Sequence, residues 1–189
     1  MTEPVSTLRV ATRADLPRIV QIYNATIASR AVTADLEAVS VESRVRWFRQ
    51  HRPKSRPLWV AERAGEVVAW LSFSSFYGRP AYDATAEVSV YVDEHWRRQG
   101  LGGGLLGAAV GHAPSIGVAT LLGFIFGHNQ ASLALFARYG FERWGTLPGV
   151  ALLDGLERDL VIVGRRVGDP VSASPPPRPS ERIQRALPG

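Results

Sequence analysis

The sequence predicts a mixed α/β domain in which helices cover both faces of a single sheet. Strand-like and helix-like segments alternate along most of the 189 residues, and this alternation is typical of α/β proteins. Two apolar segments, residues 58–62 and 67–73, flank the turn sequence Ala64-Gly65-Glu66 and therefore predict an antiparallel hairpin in the middle of the sheet. The length suits one domain, and no internal repeat is visible.

The remaining elements are predicted from hydrophobic spacing and capping residues. Thr12-Arg13-Ala14-Asp15 resembles a capping box in which Asp replaces the usual Glu, and apolar residues at helical spacing follow it. Ser40 starts a second helix, which ends near Pro53. In chain order we also expect a strand at 8–11, a strand at 87–92, a glycine-rich helix at 100–112, a strand at 118–126, a helix at 129–139 and strands at 141–147 and 158–167.

The composition excludes several kinds of site. There is no Cys, which excludes a disulfide scaffold, a thiolate nucleophile and any Cys-based zinc or iron–sulfur centre. The four His lie at positions 51, 95, 112 and 128, without the spacing of zinc ligands, so we expect no metal. A net charge of +5 favours an anionic partner, which nucleic acid, a membrane surface or a phosphorylated cofactor would satisfy equally.

The chain divides at residue 168 into two parts. Residues 1–168 are expected to form the folded domain, whereas residues 169–189 are dense in Pro and Ser and predict a disordered tail. The most apolar stretch, residues 116–127, is well short of the roughly 20 residues of a membrane-spanning helix, and the N-terminus lacks a signal-peptide pattern. We therefore expect a cytoplasmic protein with no membrane partner. Trp47, Trp59 and Trp70 fall on core-facing patterns, so no nucleic-acid partner is expected.

Residues 88–106 predict an anion-binding site, because a strand leads through a short basic loop into a glycine cluster and then a helix. Glycines let backbone N–H groups approach a bulky anion, and a helix N-terminus supplies unpaired donors and a partial positive charge. Arg97 and Arg98 add full charges beside them. We therefore expect a phosphate or, better, a pyrophosphate at this position.

Two common phosphate motifs do not account for this segment. No P-loop sequence is present. A dinucleotide fingerprint matches by letter at residues 102–107, but charged residues separate it from the preceding strand, and no Asp or Glu lies between residues 94 and 142 to bind a ribose. The remaining pattern is Arg97-x-x-Gly100-x-Gly102.

That pattern, after Val90-Tyr91-Val92, resembles the acetyl-CoA signature of the GCN5-related N-acetyltransferase (GNAT) family. A later segment of the chain resembles the second half of the same signature: Asn129-x-x-Ser132-x-x-Leu135-Phe136-x-x-x-Gly140-Phe141. Two further segments resemble one subgroup of the family, the phosphinothricin/methionine sulfoximine acetyltransferases. They are Tyr82-Asp83-x-Thr85-Ala86-Glu87-x-Ser89-Val90-Tyr91-Val92 and Gly145-Thr146-Leu147-Pro148-x-Val150.

The resemblance implies a mostly antiparallel sheet with a V-shaped splay between its fourth and fifth strands. It also implies acetyl-CoA as co-substrate, with its pyrophosphate on the backbone amides of residues 98–103 and its pantetheine arm beside the fourth strand. The cofactor-binding residues implied in this way are Val90, Tyr91, Val92, Arg97, Arg98, Gln99, Gly100, Leu101, Gly102, Gly103 and Asn129.

Glu87 is the candidate catalytic base. Acetyl transfer to an amine requires a neutral amine, a donor for the developing oxyanion and a proton for the departing thiolate. Glu87 stands at the start of the fourth strand among apolar neighbours, where desolvation raises a carboxyl pKa, and the resemblance implies the same role. The alternative is a structural acid paired with an Arg. A backbone N–H near Val90 is the expected oxyanion donor.

One position departs from the family pattern. Many relatives carry Tyr, and the subgroup His, where this chain has Phe136, which cannot donate a proton. Tyr139 lies three residues later on the same helix face, so it is either a substitute acid or a packing aromatic. A third alternative is that the thiolate leaves without an acid.

The resemblance implies a small amino-acid-like acceptor such as phosphinothricin or methionine sulfoximine. An Arg in the loop before the fourth strand would pair with a carboxylate or phosphinate. The expected substrate-binding residues are Tyr77, Arg79, Tyr82, Glu87 and Ser89. The alternatives are a protein N-terminal or lysine acetyltransferase and a non-catalytic acyl-CoA-binding sensor. Because members of the family commonly dimerise, a homodimer is also expected.

Overall fold

The computed structural model describes residues 7–168, so the predicted tail at 169–189 lies outside the described residues. Seven strands form one sheet in the order β1-β2-β3-β4-β5-β7-β6, and every neighbouring pair is antiparallel except β4 with β5. The strands are β1 (Thr7–Val10), β2 (Leu58–Arg63), β3 (Glu66–Ser75), β4 (Thr85–Val92), β5 (Thr120–Phe126), β6 (Glu142–Leu153) and β7 (Leu156–Arg166). The predicted mixed, mostly antiparallel sheet is therefore confirmed.

Helices cover both faces of this sheet, as predicted. They are α1 (Leu16–Ile27), α2 (Val41–Gln50), α3 (Leu101–His112) and α4 (Gln130–Arg138). On one face, Ile19 and Ile22 of α1 pack with Trp70 of β3. On the other face, buried residues of α3 and α4, such as Leu105 and Phe136, share a larger cluster with β2 to β5 and β7. No helix within residues 7–168 is both long and apolar enough to span a bilayer.

Side-chain caps define the start of both helices on the first face. Ahead of α1, the Asp15 carboxylate accepts a hydrogen bond from the Thr12 N–H at 2.6 Å, so the short acid closes the turn that the sequence predicted. At α2, the Ser40 hydroxyl accepts from the Ser43 N–H at 3.1 Å. The cap at Ser40 also fixes the C-terminal end of the 28–40 connection, which passes the site described below.

The fourth and fifth strands separate soon after they meet. Residues 85–87 of β4 pair in parallel with residues 120–122 of β5, and the pairing ends there although both strands continue. The V-shaped splay implied by the family resemblance is thereby confirmed. We call the space between residues 88–92 and the outer half of β5 the gap.

The register of β4 determines which backbone groups face this gap. The Asp93 N–H donates to the Val68 carbonyl at 2.9 Å, and β3 and β4 pair without interruption from Ala69↔Val92 to Ser75↔Ala86. Because antiparallel bonding alternates along a strand, Tyr91 and Ser89 bond to β3. The N–H and C=O groups of Val90 and the N–H of Val92 therefore point into the gap.

The two final strands are longer than predicted. Strands at 141–147 and 158–167 were expected, and Pro148 and Gly149, which locally favour a break, follow the first of them. The structure instead accommodates both residues in an irregularity between Leu147 and Ala151, where Gly149 has φ +60°, and the hairpin continues to Leu153 and Leu156. Its turn is Asp154-Gly155, with φ of 49° and 80°, an Asp-Gly hairpin signal that the sequence already contained.

Candidate active site

A groove of about 640 Å³ runs between the end of β4, the basic loop, the start of α3 and one face of α4. It brings together every residue expected to bind the cofactor except Gln99. The side-chain oxygen Oε1 of Gln99 instead accepts a hydrogen bond from Arg63 Nη1 at 2.7 Å, which links the basic loop to β2. The sequence therefore identified residues that are dispersed in the chain but adjacent in space.

The basic loop presents an array of backbone donors. Arg98 and Gly100 both adopt left-handed conformations, with φ of 61° and 79°, and this kind of alternation turns successive N–H groups toward one side. Gly100 is the N-cap of α3 and brings no side-chain cap. The first helical bond runs from the Gly104 N–H to the Gly100 carbonyl at 2.9 Å, so the N–H groups of residues 101–103 are open to an anion.

Gly102 forms part of the floor of the groove. A Cβ built at this position would lie 3.3 Å from Leu135 Cδ2 and 3.6 Å from Val92 Cγ2, and both of those residues line the groove. Any side chain at 102 therefore projects into the space between β4 and α4. Gly104, two residues on, has open space around its Cβ position.

Phe136 and Tyr139 occupy different environments. The Phe136 ring is buried against Gly123 and packs edge-on to Phe141 at 4.9 Å. The Tyr139 ring covers Gly103 and Gly107 of α3, and its hydroxyl lies 2.7 Å from where a Cβ on Gly103 would be. Tyr139 thus packs against the phosphate end of the groove, which favours the packing interpretation over a substitute acid.

Asn129, expected to bind the cofactor, is the N-cap of α4. Its Oδ1 accepts from the Ser132 N–H at 3.0 Å, and its Nδ2 donates to the Ala31 carbonyl at 2.9 Å. The side chain therefore joins the 28–40 connection to α4 at the mouth of the gap, which it also lines.

A second cavity, of about 170 Å³, lies on the opposite face of β4 beneath α1 and α2. We call it the acceptor cavity. Its lining residues are Ile19, Val20, Tyr23, Arg44, Trp47, Trp70, Ser72, Ser74, Glu87, Ser89 and Tyr91. Glu87, Ser89 and Tyr91 alternate along β4, so their side chains emerge on one face of the strand. Ser89 and Tyr91 also line the gap, and Tyr91 in addition lines the groove, which makes the three spaces adjoin.

Glu87 is the only carboxylate lining the acceptor cavity among the described residues. Burial raises the pKa of its carboxyl above the ordinary value, and the hydrogen bond from the Ser89 hydroxyl, at 3.4 Å, opposes this only in part. Within residues 7–168 Glu87 makes no ion pair. This favours a base poised toward neutral pH over a structural acid paired with an Arg.

Tyr91 has a role that the sequence did not indicate. Its ring stacks on Trp70 with a centroid distance of 4.2 Å and an interplanar angle of 16°. Burial raises the pKa of the Tyr91 hydroxyl well above its usual value, so the group stays protonated and can donate a hydrogen bond but is a poor acid. It forms the wall common to groove, gap and acceptor cavity.

The sequence also missed a polar network that closes the acceptor cavity. The Tyr23 hydroxyl donates to Asp35 Oδ2 at 2.6 Å and is hydrogen-bonded to the Thr33 hydroxyl. Arg44 Nη2 donates to the same Asp35 oxygen at 2.7 Å, and its guanidinium lies 4.7 Å from the centre of the Tyr23 ring. One signal was present: Arg44 precedes Trp47 by three residues and therefore shares its core-facing side of α2.

The expected substrate loop lies outside the acceptor cavity. Tyr77 is 76% exposed, and Arg79 and Tyr82 are exposed as well. Their loop forms an aromatic cluster in which the Phe76 ring is stacked with Phe124 at 6.4 Å, and Phe124 lines the gap. The structure thus brings Glu87 and Ser89 together but leaves the three loop residues outside the acceptor cavity.

The histidines are engaged separately. His51 Nδ1 is 3.0 Å from the Trp47 carbonyl, His128 Nε2 is 2.8 Å from the Arg30 carbonyl, and His95 Nδ1 is 3.0 Å from Asp93. Within residues 7–168 no group of three His, Asp or Glu side chains is arranged to hold a metal ion.

Known relatives share most of this chain. YwnH of Bacillus subtilis (strain 168), to which phosphinothricin acetyltransferase activity is provisionally assigned, is 54% identical over 162 residues, which cover 85% of this chain and 99% of YwnH. The L-methionine sulfoximine/L-methionine sulfone acetyltransferase of Pseudomonas aeruginosa is 32% identical over 171 residues, which cover 90% of this chain and 99% of that protein.

A solved structure and a family model match the same region. The GNAT superfamily phosphinothricin acetyltransferase of Sinorhizobium meliloti, solved in complex with acetyl-CoA, has a TM-score of 0.83 and 28% identity, covering 92% of this chain and 94% of that chain. The model of the Acetyltransferase (GNAT) family matches residues 19–141, a range that contains the groove, the gap and Glu87. The splayed sheet, the open amides at the start of α3 and these matches together show that the chain belongs to the GNAT family of acetyltransferases.

Proposed function

We propose that this protein transfers the acetyl group of acetyl-CoA to the primary amine of a small amino-acid-like substrate of the phosphinothricin or methionine sulfoximine type. The observation that carries the proposal is the adjacency of three spaces: a groove rich in backbone donors, the gap, and a small cavity with the desolvated Glu87. The names of the relatives support the same substrate class.

The groove fits acetyl-CoA in shape and chemistry. The N–H groups of residues 101–103, together with Arg97 and Arg98, would hold the pyrophosphate. The gap-facing N–H and C=O of Val90 would pair with the pantetheine amides as a neighbouring strand does. Gly102 leaves the floor clear for this arm. When bound, the cofactor supplies an acyl thioester at the gap.

Glu87 is the proposed base. Its raised pKa and its place in the acceptor cavity suit it to take a proton from the substrate ammonium, directly or through a water, and so to produce the neutral amine that attacks. The Val90 N–H points into the gap and is the proposed donor to the carbonyl oxygen as negative charge develops there. Because Phe136 offers no proton, we propose that the thiolate departs without an enzyme acid.

The size and position of the acceptor cavity favour a small molecule over a peptide. Aromatic side chains of both helices and β3 bound its volume of about 170 Å³. The loop with Tyr77, Arg79 and Tyr82 is the proposed outer wall, supported by the stacking of Phe76 on Phe124 at the gap. Exposed Arg79 could there meet the distal acidic group of a substrate such as phosphinothricin.

An assay of acetyl-CoA-dependent thiol release over a matched panel tests the proposal. The panel contains L-phosphinothricin, L-methionine sulfoximine, a peptide with a free N-terminus and an acetyl-capped lysine peptide. We expect thiol release with the first two and with neither peptide. Turnover of a peptide alone would favour a protein acetyltransferase, and cofactor binding with no turnover of any amine would favour an acyl-CoA sensor.

A homodimer and a cytoplasmic location belong to the same proposal. The β6–β7 hairpin exposes apolar side chains, among them Val150 at 56% and Leu152 at 64%, and exposed apolar surface favours association. The cytoplasmic location is supported by the use of acetyl-CoA, a cofactor of intracellular metabolism. Analytical ultracentrifugation of the wild type and of Leu152→Lys tests the dimer. We expect the mass of a dimer for the wild type and a smaller mass for the variant.

A further inference from the structure

One positively charged side chain, that of Arg44, lines the acceptor cavity. The proposed function gives it no role. Among its lining residues in the described chain, Arg44 is the single positive side chain and Glu87 the single negative one. The other lining groups are hydroxyls, aliphatic chains and aromatic rings. A cavity that offers one charge of each sign complements a small zwitterion, because each charge of the ligand then meets its opposite.

The position of the guanidinium is fixed by two contacts that leave donors available. Nη2 donates to Asp35 Oδ2 at 2.7 Å, and the group lies 4.7 Å from the centre of the Tyr23 ring. Among the described residues no acceptor bonds to its Nε or Nη1, and neither atom is buried without a partner. A guanidinium with free, accessible N–H groups in a rigid position is suited to bind a carboxylate.

We propose that Arg44 binds the α-carboxylate of the amino-acid acceptor and so sets the specificity for acceptors with a free carboxylate. The inference rests on the proposed acetyl transfer to a small amine and adds the group that selects it. The substrate ammonium then faces Glu87, while the carboxylate is held on the α2 side of the same cavity. The amine is thereby oriented toward the gap.

Two acceptors that differ only at the carboxylate provide the test: L-methionine sulfone and its methyl ester. Arg44→Met keeps an unbranched apolar stem and removes the guanidinium with its charge, and Arg46→Met makes the same change at an exposed position of α2. We expect Arg44→Met to raise the KM for the acid about 10- to 100-fold, a loss typical of a hydrogen bond to a charged group, with kcat changed less than about threefold. The KM for the ester should stay within about threefold, and Arg46→Met should change neither. The amine of the ester has a lower pKa than the amine of the acid, but this difference is the same for every variant. The informative quantity is therefore the ratio of the KM for the acid to the KM for the ester.

Asp35→Asn separates carboxylate binding from a structural role of the ion pair. This variant weakens the same pair but keeps the guanidinium, so the preference for the acid should persist or increase. Arg44→Lys, which keeps a positive charge, should retain part of the preference for the acid that Arg44→Met loses. Calorimetric titration of L-methionine sulfone in the presence of coenzyme A, which cannot turn over, should show the same loss of affinity in Arg44→Met.

The outcomes distinguish the inference from the function on which it rests. If the wild type acetylates neither acceptor nor any other small amine, the proposed function fails before any variant is compared. The inference is overturned if the wild type acetylates the acid but Arg44→Met raises the KM for acid and ester equally. It is also overturned if Asp35→Asn shows the same selective loss for the acid as Arg44→Met. In either case Arg44 only positions the 28–40 connection.

Discussion

Glu87 is subject to two opposing demands, because the burial that raises its pKa also makes its ionised form costly in the folded protein. Between the ordinary pKa of a carboxyl and the raised one, the folded chain keeps a proton that the unfolded chain has lost, so stability falls as pH rises through that window. The ionised carboxylate is therefore a source of instability, which the proposed role of Glu87 as base would explain.

Glu87→Gln should separate these effects. We expect kcat to fall about 10²- to 10⁴-fold, the usual contribution of a general base, with acetyl-CoA affinity unchanged. The free energy of unfolding in urea at pH 7 should equal or exceed that of the wild type, and this advantage should disappear below about pH 4, where both states of the wild type are protonated. A loss of stability at pH 7 together with the loss of activity would indicate a structural acid instead.

Gly102 and Gly104 provide a matched pair within the same helix. A valine at 102 would project into the groove against Leu135 and Val92, whereas a valine at 104 would meet open space. We expect Gly102→Val to weaken acetyl-CoA binding at least about 100-fold by calorimetry and Gly104→Val to leave it within about threefold. Equal affinities in the two variants would show that the cofactor does not lie over the first turn of α3.

At the scale of elements, β4 should show the presence of the cofactor in an alternating pattern. The N–H groups of Val90 and Val92 face the gap, whereas those of Ser89 and Tyr91 already bond to β3. Saturating acetyl-CoA should slow amide hydrogen exchange at Val90 and Val92 by about tenfold or more and leave the other two unchanged, as resolved by NMR. Uniform protection along the strand would mean closure of the whole sheet instead, and Gly102→Val serves as the control without bound cofactor.

The elements were predictable where local chemistry determines them. Ser40 and the Thr12–Asp15 turn carry their own side-chain caps, and the first and second faces of the sheet follow from alternating apolar residues. The extension of the last hairpin past Pro148 was not predictable in this way. Pro148 and Gly149 locally favour a break, but a strand irregularity accommodates them. The Asp154-Gly155 turn was the stronger local signal.

At the scale of the whole molecule, the two halves of the site differed in how far sequence determines them. The array of backbone donors in the groove depends on a continuous segment, residues 97–103, in which Gly100 takes the left-handed conformation at the start of α3. The acceptor cavity is assembled from α1, α2, β3 and β4, so Tyr23 and Arg44 meet only through tertiary packing. The spacing of Arg44 and Trp47 indicates only that Arg44 faces the core, and a single sequence does not show which residues of α1 and β4 it meets there.

Packing across separate elements also controls stability at acid pH. Arg9 of β1 donates to both Asp15 carboxylate oxygens, at 2.7 and 2.8 Å, and to Glu62 of β2 at 2.6 Å, so one guanidinium joins two strands to the start of α1. The hydrogen bond from Arg9 is the main cause that lowers the pKa of Asp15 to about 2. A lowered carboxyl pKa stabilises the fold above the ordinary value near 4 and loses this effect as pH falls to about 2.

Asp15→Asn should therefore lower the free energy of unfolding by about 1–2 kcal/mol at pH 7, a range discounted from the full shift because the Arg9 side chain is one-third exposed. Urea unfolding from pH 7 to pH 2 should show the difference from the wild type shrinking below pH 4 and vanishing near pH 2. Asp154→Asn is the matched control, since its pair with Arg30 is exposed and Asn tolerates the left-handed turn. Its effect on the free energy of unfolding should be much smaller than that of Asp15→Asn. A difference for Asp15→Asn that persists unchanged at pH 2 would assign the loss to the hydrogen bond with Thr12 and not to the charge of the carboxylate.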